Sequence, residues 1–200
     1  LRSVTLDDME LIISRTGWSS ELGYEIYLQD SSRGTDLWDA IMSAGQPFGL
    51  KPGHTSTIRR IEGGMLSYHA DMDNMTNPFE LGLDRLVALD SDADFIGKSA
   101  LRAIRDKGVT RKQIGLIIDG EAFAGPNTRF WPVICNDLVV GKVTSAVYSP
   151  RLVRNIAFAM VEPAHVEADG AVSVEPSSGL RSAHITGLPF YDPSKNLAKG

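Results

Sequence analysis

The stretch Trp131-Pro132-Val133-Ile134-Cys135-Asn136-Asp137-Leu138-Val139-Val140-Gly141-Lys142-Val143-Thr144-Ser145-Ala146-Val147-Tyr148 decides the fold class. It is rich in β-branched and aliphatic residues and is broken by Asn136-Asp137 and Gly141, residues that punctuate strands. Working outward, the same texture recurs. Ile114–Ile118, Trp131–Cys135, Leu138–Val140, Lys142–Tyr148, Ile156–Val161, Ala171–Val174 and Ala183–Thr186 are short β-rich runs separated by Gly, Pro, Asn and Asp. Strands of that length and spacing predict a small barrel or sandwich over residues 111–200. The pattern begins after Thr110, so a domain boundary is expected near residue 110, and the tail after Pro193 is expected to be loose.

Upstream, residues 1–110 read as mixed helix and strand, which makes the whole chain α+β. Leu11–Ile13 and Tyr24–Leu28 flank Thr16-Gly17-Trp18-Ser19-Ser20-Glu21-Leu22-Gly23, predicting a hairpin whose loop is too long for a two-residue turn. On its second strand Tyr24, Ile26 and Leu28 share one face, and Glu25 and Tyr27 the other. The i,i+4 pairs Leu37/Ile41 and Trp38/Met42 predict an amphipathic helix over 36–44 closed by Gly45. A second helix is expected over 56–62, a strand over 86–89, and a helix over 99–107 capped by Ser99 and ended by Gly108.

Composition narrows the function classes. The 200 residues are 42% hydrophobic and 22% charged, which excludes global disorder. A formal charge of −5 argues against a protein held to nucleic acid by bulk charge. No apolar run reaches the ~18 residues of a membrane span. The single cysteine, Cys135, fits a reducing compartment. The chain opens Leu1-Arg2-Ser3-Val4 and reads as though it begins mid-protein.

Several apparent motifs fail. Gly97-Lys98-Ser99 resembles the end of a phosphate loop, but Asp92 stands where the first glycine belongs, and Asp90 and Asp94 add charge that repels phosphate. Asp71-Met72-Asp73-Asn74 opens like a calcium loop, but Thr76 and Gly82 occupy the positions of its glycine and its final glutamate. The four histidines lack ligand spacing, Cys135 has no neighbour to complete a zinc set, and no metal is expected. There is no Gly-x-Ser-x-Gly elbow.

One segment carries chemistry: Arg15-Thr16-Gly17-Trp18-Ser19-Ser20-Glu21-Leu22-Gly23-Tyr24-Glu25-Ile26. A carboxylate on a strand beside an aromatic on a Gly-rich loop suits a flat heterocycle. The carboxylate accepts two parallel hydrogen bonds from an amino group and an adjacent ring N–H, and the aromatic packs on the ring. Spacing alone favours Glu25 as a solvent-face strand residue and Trp18 as a loop anchor, since lone carboxylates on strands are usually exposed.

The segment resembles the R-T-G-[YF]-x-G/S-E-x-G-[FY]-E-[IV] signature of the folate-dependent aminomethyltransferases, the glycine-cleavage T-proteins and their relatives. Arg60-Ile61-Glu62-Gly63-Gly64-Met65-Leu66-Ser67-Tyr68-His69-Ala70-Asp71-Met72 is similar to the family's R-[LI]-E-x-G-x-x-x-Y-G-x-D block. Asn77-Pro78-Phe79-Glu80-Leu81-Gly82-Leu83 and Asp94-Phe95-Ile96-Gly97-Lys98-Ser99-Ala100-Leu101 resemble the next two. Gly141-Lys142-Val143-Thr144-Ser145, Tyr148-Ser149-Pro150, Asn155-Ile156-Ala157 and Leu188-Pro189-Phe190-Tyr191-Asp192-Pro193 resemble its C-terminal barrel, in the same order.

The resemblance implies a three-domain subunit binding tetrahydrofolate in a central pocket. Residues 1–110 would be the C-terminal part of its folate-binding domain, of split β-α-β type. Residues 111–200 would form a small antiparallel, Greek-key-like β-barrel. Glu25 is expected to take the pterin amino group and ring N–H, Trp18 to lie beside the folate, and Tyr191 to border the pocket. Arg60 and Glu62, adjacent on a helical turn, read as a structural pair, and Gly141 and Ser149-Pro150 both read as turn chemistry. No catalytic residue is expected in this chain, because the family's Asp lies in an N-terminal half absent here.

One departure stands out: Thr55-Ser56-Thr57 occupies the place of the family's A-R-D triplet, whose Arg helps hold the folate. Together with Arg-Ile-Glu-Gly-Gly and Trp18, this favours the demethylase-like branch. The implied partners are a small nitrogen-, sulfur- or oxygen-bearing one-carbon donor, a lipoyl carrier protein and the missing N-terminal half, with no nucleic acid and no membrane. The implied compartment is the bacterial cytoplasm or the mitochondrial matrix. The alternative is a non-catalytic folate-binding or assembly module, paired with another chain or fused to an oxidase.

Overall fold

A computed structural model describes residues 1–165 and 170–199. The chain forms two compact units, one of Leu1–Ser56 with the tail from Ser194, the other Thr57–Pro193.

In the first unit, β1 (Arg2–Leu6), β2 (Met9–Ser14) and β3 (Glu25–Leu28) form an antiparallel sheet in that order. β1 has no counterpart in the sequence reading. All five of its residues are exposed, so no apolar alternation marks it. Its partner is fixed by a two-residue turn, Asp7-Asp8, with φ of 46° and 62°, a left-handed pair that Asp tolerates and that matches strand twist. The hairpin of β2 and β3 is as expected, with Ser14 opposite Glu25 and Leu11 opposite Leu28. α1 (Gly34–Gly45) contains the expected 36–44 segment. The tail differs from the loose segment expected. α4 (Asn196–Lys199) forms one turn, and the Arg15 guanidinium donates to the carbonyls of Ala198 and Lys199, supplying the partners that helical C-terminal carbonyls lack.

In the second unit, β4 (Lys112–Ile118), β5 (Trp131–Cys135), β6 (Leu138–Ser149), β7 (Arg154–Val161), β8 (Ala171–Val174) and β9 (Arg181–Thr186) close an antiparallel barrel in the order β4-β7-β6-β5-β8-β9. Strands β5, β6 and β7 follow one another, and β4 lies beside β7, which is a Greek key. Closure leaves no sheet edge unpaired. Inward side chains, among them Leu116, Val133, Val143, Ala157, Ala159 and Val174, are fully buried. The two expected runs at 138–140 and 142–148 are one strand, because Gly141 interrupts the composition without interrupting the ladder. Gly141 is therefore a close-approach residue rather than turn chemistry. A Cβ there would stand 2.2 Å from the Met160 carbonyl oxygen and 2.7 Å from Val161 Cα.

α2 (Thr57–Glu62) and α3 (Lys98–Lys107) belong to the same unit. Ile61 of α2 packs with Val147, Ile156 and Phe158 on the outside of the barrel, which groups the segment after Ser56 with the barrel in compactness. Two local expectations are corrected. Residues 86–89 form no strand; Asp84–Leu86 is a 3₁₀ turn, and Val87 N–H donates back to Asp84 at 2.9 Å, satisfying locally the groups a strand would have offered a neighbour. α3 starts at Lys98, preceded by Gly97 at φ 89°, and Ser99 is not its cap. Lys98 is buried instead, and its Nζ donates to the Ser91 and Ala93 carbonyls at 2.5 and 2.6 Å. The failed phosphate motif is thus a lysine that pins the acidic loop.

Candidate functional site

Glu25 opens β3, directly across from Ser14 on β2. The hairpin returns the chain so that Thr16, just past β2, donates its hydroxyl to Glu25 Oε2. The same Thr16 hydroxyl reaches Ser14 Oγ at 2.9 Å. From two residues along the strand, the Tyr27 phenol donates to Glu25 Oε2 at 3.1 Å. Oε2 thus takes two donors, while Oε1 takes none among the described residues. The Glu25 carboxylate, by hydrogen bond and by charge, holds the Tyr27 phenol above its ordinary value. Sequence reading placed Glu25 and Tyr27 on one strand face but missed that Tyr27 and Thr16 orient the carboxylate. The signals were the i,i+2 spacing and the hairpin register. Trp18 lies on the 16–23 loop of this unit and is 43% exposed.

Tyr191 belongs to the second unit. Its backbone N–H donates to the Glu62 carbonyl at 2.9 Å, and the Arg151 guanidinium lies 4.4 Å from its ring centroid. Trp18 and Glu25 therefore share one unit, and Tyr191 is held in the other.

The motifs read as structural converge on a buried network. Arg60 Nη1 pairs with Asp71 Oδ2 at 2.8 Å, and Arg60 Nη2 donates to Ser145 Oγ at 2.8 Å. Asp71 also accepts from the Thr144 hydroxyl at 2.7 Å, the Ser145 hydroxyl at 2.6 Å and the Ser67 N–H at 2.9 Å. Two consecutive strand residues reach one carboxylate because a bulge between Val143 and Ser145 breaks the alternation of faces. Asp71, the first acid of the rejected calcium loop, is thus committed to an arginine and three donors. Arg60 and Glu62 are each structural but serve different partners: Glu62 is paired with Arg151 at 3.5 Å and accepts from Ser149 Oγ at 2.5 Å. Glu80 similarly fixes its segment to the barrel, taking Arg111 at 2.9 and 3.2 Å through both oxygens.

A closed Greek-key barrel locked to an Arg–Asp centre, with a separate antiparallel sheet bearing an exposed aromatic and a donor-held carboxylate, defines a class of fold. The crystal structure of glycine cleavage system aminomethyltransferase T from Bartonella henselae shares that fold, with a TM-score of 0.76 at 20% identity over 96% of this chain and 52% of that one. The family model described as GCVT N-terminal domain matches residues 1–91, and that of the glycine cleavage T-protein C-terminal barrel domain matches residues 111–192. Dimethylsulfoniopropionate demethylase DmdA of Ruegeria pomeroyi is 35% identical over 92% of this chain and 50% of its own length. An aminomethyltransferase of Symbiobacterium thermophilum is 37% identical over 90% of this chain and 48% of its own length. The chain belongs to the glycine cleavage T-protein family of enzymes. It spans about half the length of the curated relatives it matches.

Proposed function

We propose that this chain supplies the pterin clamp and barrel of a tetrahydrofolate-dependent one-carbon transferase. The observation that carries the reading is Glu25, a carboxylate with one oxygen held by Thr16 and Tyr27 and the other open, inside the family's signature segment. The donor set fits the cofactor. A carboxylate only accepts, and the pterin edge offers an amino group beside a ring N–H. Oε1 is ready to receive one of these. Oε2 receives the other when Tyr27 or Thr16 gives way, so Tyr27 competes with the cofactor. Trp18 packs against the folate from its loop, and Tyr191 borders the pocket. The cofactor, when bound, supplies the one-carbon acceptor; this chain's residues bind and orient it.

The domain reading that goes with this function places the folate-binding part in residues 1–110 and the barrel in 111–200. The acid that positions the donor belongs to the family's N-terminal half. Thr55-Ser56-Thr57, Arg-Ile-Glu-Gly-Gly and Trp18 favour methyl transfer of the demethylase kind over glycine cleavage. A single cysteine suits the cytoplasm or a mitochondrial matrix. No helix among the described residues is long and apolar enough to cross a membrane.

Calorimetric titration of the chain with tetrahydrofolate tests the clamp. Glu25→Gln replaces an acceptor oxygen with a donor and is expected to weaken binding by roughly 10- to 100-fold, the scale of a lost charged hydrogen bond. Unchanged affinity overturns the assignment. Turnover by a protein that includes the family's N-terminal half, comparing a lipoyl-borne aminomethyl donor with dimethylsulfoniopropionate and aryl methyl ethers, decides the branch. Folate binding without turnover of any of them would favour a non-catalytic folate module.

A further inference from the structure

We infer that Arg151 and Glu62 are positioning residues that set the ring of Tyr191, a role that rests on the reading of Tyr191 as a pocket residue. The segment Leu188–Tyr191 is laid along its own unit by successive contacts. Pro189 seats against Gly64, where an added Cβ would stand 3.1 Å from the proline Cβ and where φ is +73°. Phe190 stacks on Phe158 with centroids 6.0 Å apart and planes 14° from parallel. The Tyr191 N–H donates to the Glu62 carbonyl at 2.9 Å. Those contacts fix the backbone and leave the Tyr191 side chain its own torsions.

The ring is fixed by a second circuit. Arg151 stands over it at 4.4 Å and is paired with Glu62 Oε2 at 3.5 Å. Glu62 is buried, and its other oxygen accepts from the Ser149 hydroxyl at 2.5 Å. Ser149 is fully buried and accepts the Leu152 N–H at 3.0 Å, which closes the turn that carries Arg151. Glu62 therefore holds Tyr191 twice, through its backbone carbonyl and through the guanidinium that its carboxylate orients.

A buried carboxylate with a guanidinium is a poor device for stability alone, because apolar replacements of similar volume often do as well. A guanidinium over an aromatic ring, however, restrains the ring, and a lysine ammonium carries the same charge without a planar face. The geometry explains the use of arginine at this point.

The test uses the chain carrying 3-fluorotyrosine, with the Tyr191 fluorine resonance identified by its loss in Tyr191→Phe. Tetrahydrofolate is expected to shift that resonance in the wild type. Arg151→Met is expected to move it in the free protein and to weaken tetrahydrofolate about tenfold, with Arg151→Lys between the two. In a Tyr191→Ala background Arg151→Met is expected to add nothing, since a brace has no effect without the ring it holds. An Arg151→Met effect that persists in full without Tyr191 overturns the brace. So does unchanged affinity in both Arg151 variants when Tyr191→Ala weakens binding, and in either case the reading of Tyr191 stands. If Tyr191→Ala leaves affinity unchanged, or tetrahydrofolate leaves the wild-type resonance in place, the pocket reading of Tyr191 fails and the brace with it. If Arg151→Met does not fold, Arg151→Lys is judged by the same resonance and affinity.

Discussion

The two units of the chain solve folding differently. In Thr57–Pro193 apolar side chains fill a closed barrel and a second cluster on its outer face, and the charged groups that are buried, Arg60, Glu62, Asp71, Glu80 and Lys98, all have partners. In Leu1–Ser56 the only buried apolar residues among those described are Met9 and Leu11, and α1 buries none of its side chains. Trp18, Tyr24, Tyr27 and Trp38 are 43–61% exposed there. The barrel unit holds most of the buried contacts, and the sheet unit leaves its aromatic side chains exposed. The polar groups of each follow the same division. The buried charged groups in the barrel unit are held by partners, whereas Glu25 in the sheet unit keeps an oxygen open.

The sharpest break in that contrast comes from Arg60→Ala. It leaves the Asp71 carboxylate buried without its cation and is expected to cost about 3–5 kcal/mol, read from urea unfolding of the barrel unit. Next is Gly141→Ala, whose methyl would overlap the Met160 carbonyl. A loss of roughly 1–3 kcal/mol is expected from the forced shift of β6 against β7. Trp38→Ser probes the other side. At an exposed helix position it is expected to change stability by no more than about 0.5 kcal/mol, and a larger loss would show that the sheet unit buries more than its solvent exposure shows.

The finest probe is the Tyr27 phenol. A raised value means that the folded chain holds this proton more tightly than the unfolded chain. The contribution of the contact is therefore present below the ordinary phenol value and is lost as pH rises through the folded one. Ultraviolet titration of phenolate, with Tyr27→Phe as the difference, is expected to show Tyr27 ionising later than an ordinary tyrosine. In Glu25→Gln it is expected to return toward the ordinary value. No change in Glu25→Gln would detach the phenol from the carboxylate.

Legibility in the sequence followed the range of the interactions. The strands over 131–135 and 171–174 coincide with their apolar runs, because inside-out alternation in a barrel is written in adjacent residues. β1 was invisible because a fully exposed edge strand carries no alternation, and 86–89 was misread because a short apolar run has no period of its own. Lys98 shows the same limit in a side chain. Its spacing resembled a phosphate loop, and its contacts with Ser91 and Ala93 depend on a loop path that spacing does not describe.

By itself, the sequence determined the α+β class, the barrel strands, the signature around Glu25 and the family, since each rests on residues close together in the chain or on motifs in order. Tertiary structure alone decided that Asp71 meets Thr144 and Ser145 across a bulge, that Gly141 stands against Met160, and that Arg151 and Glu62 meet at Tyr191. Those partners lie tens of residues apart. Which distant donor reaches a buried carboxylate is set by the closure of the barrel and the path of the chain over it, and no local pattern in the residues encodes that meeting.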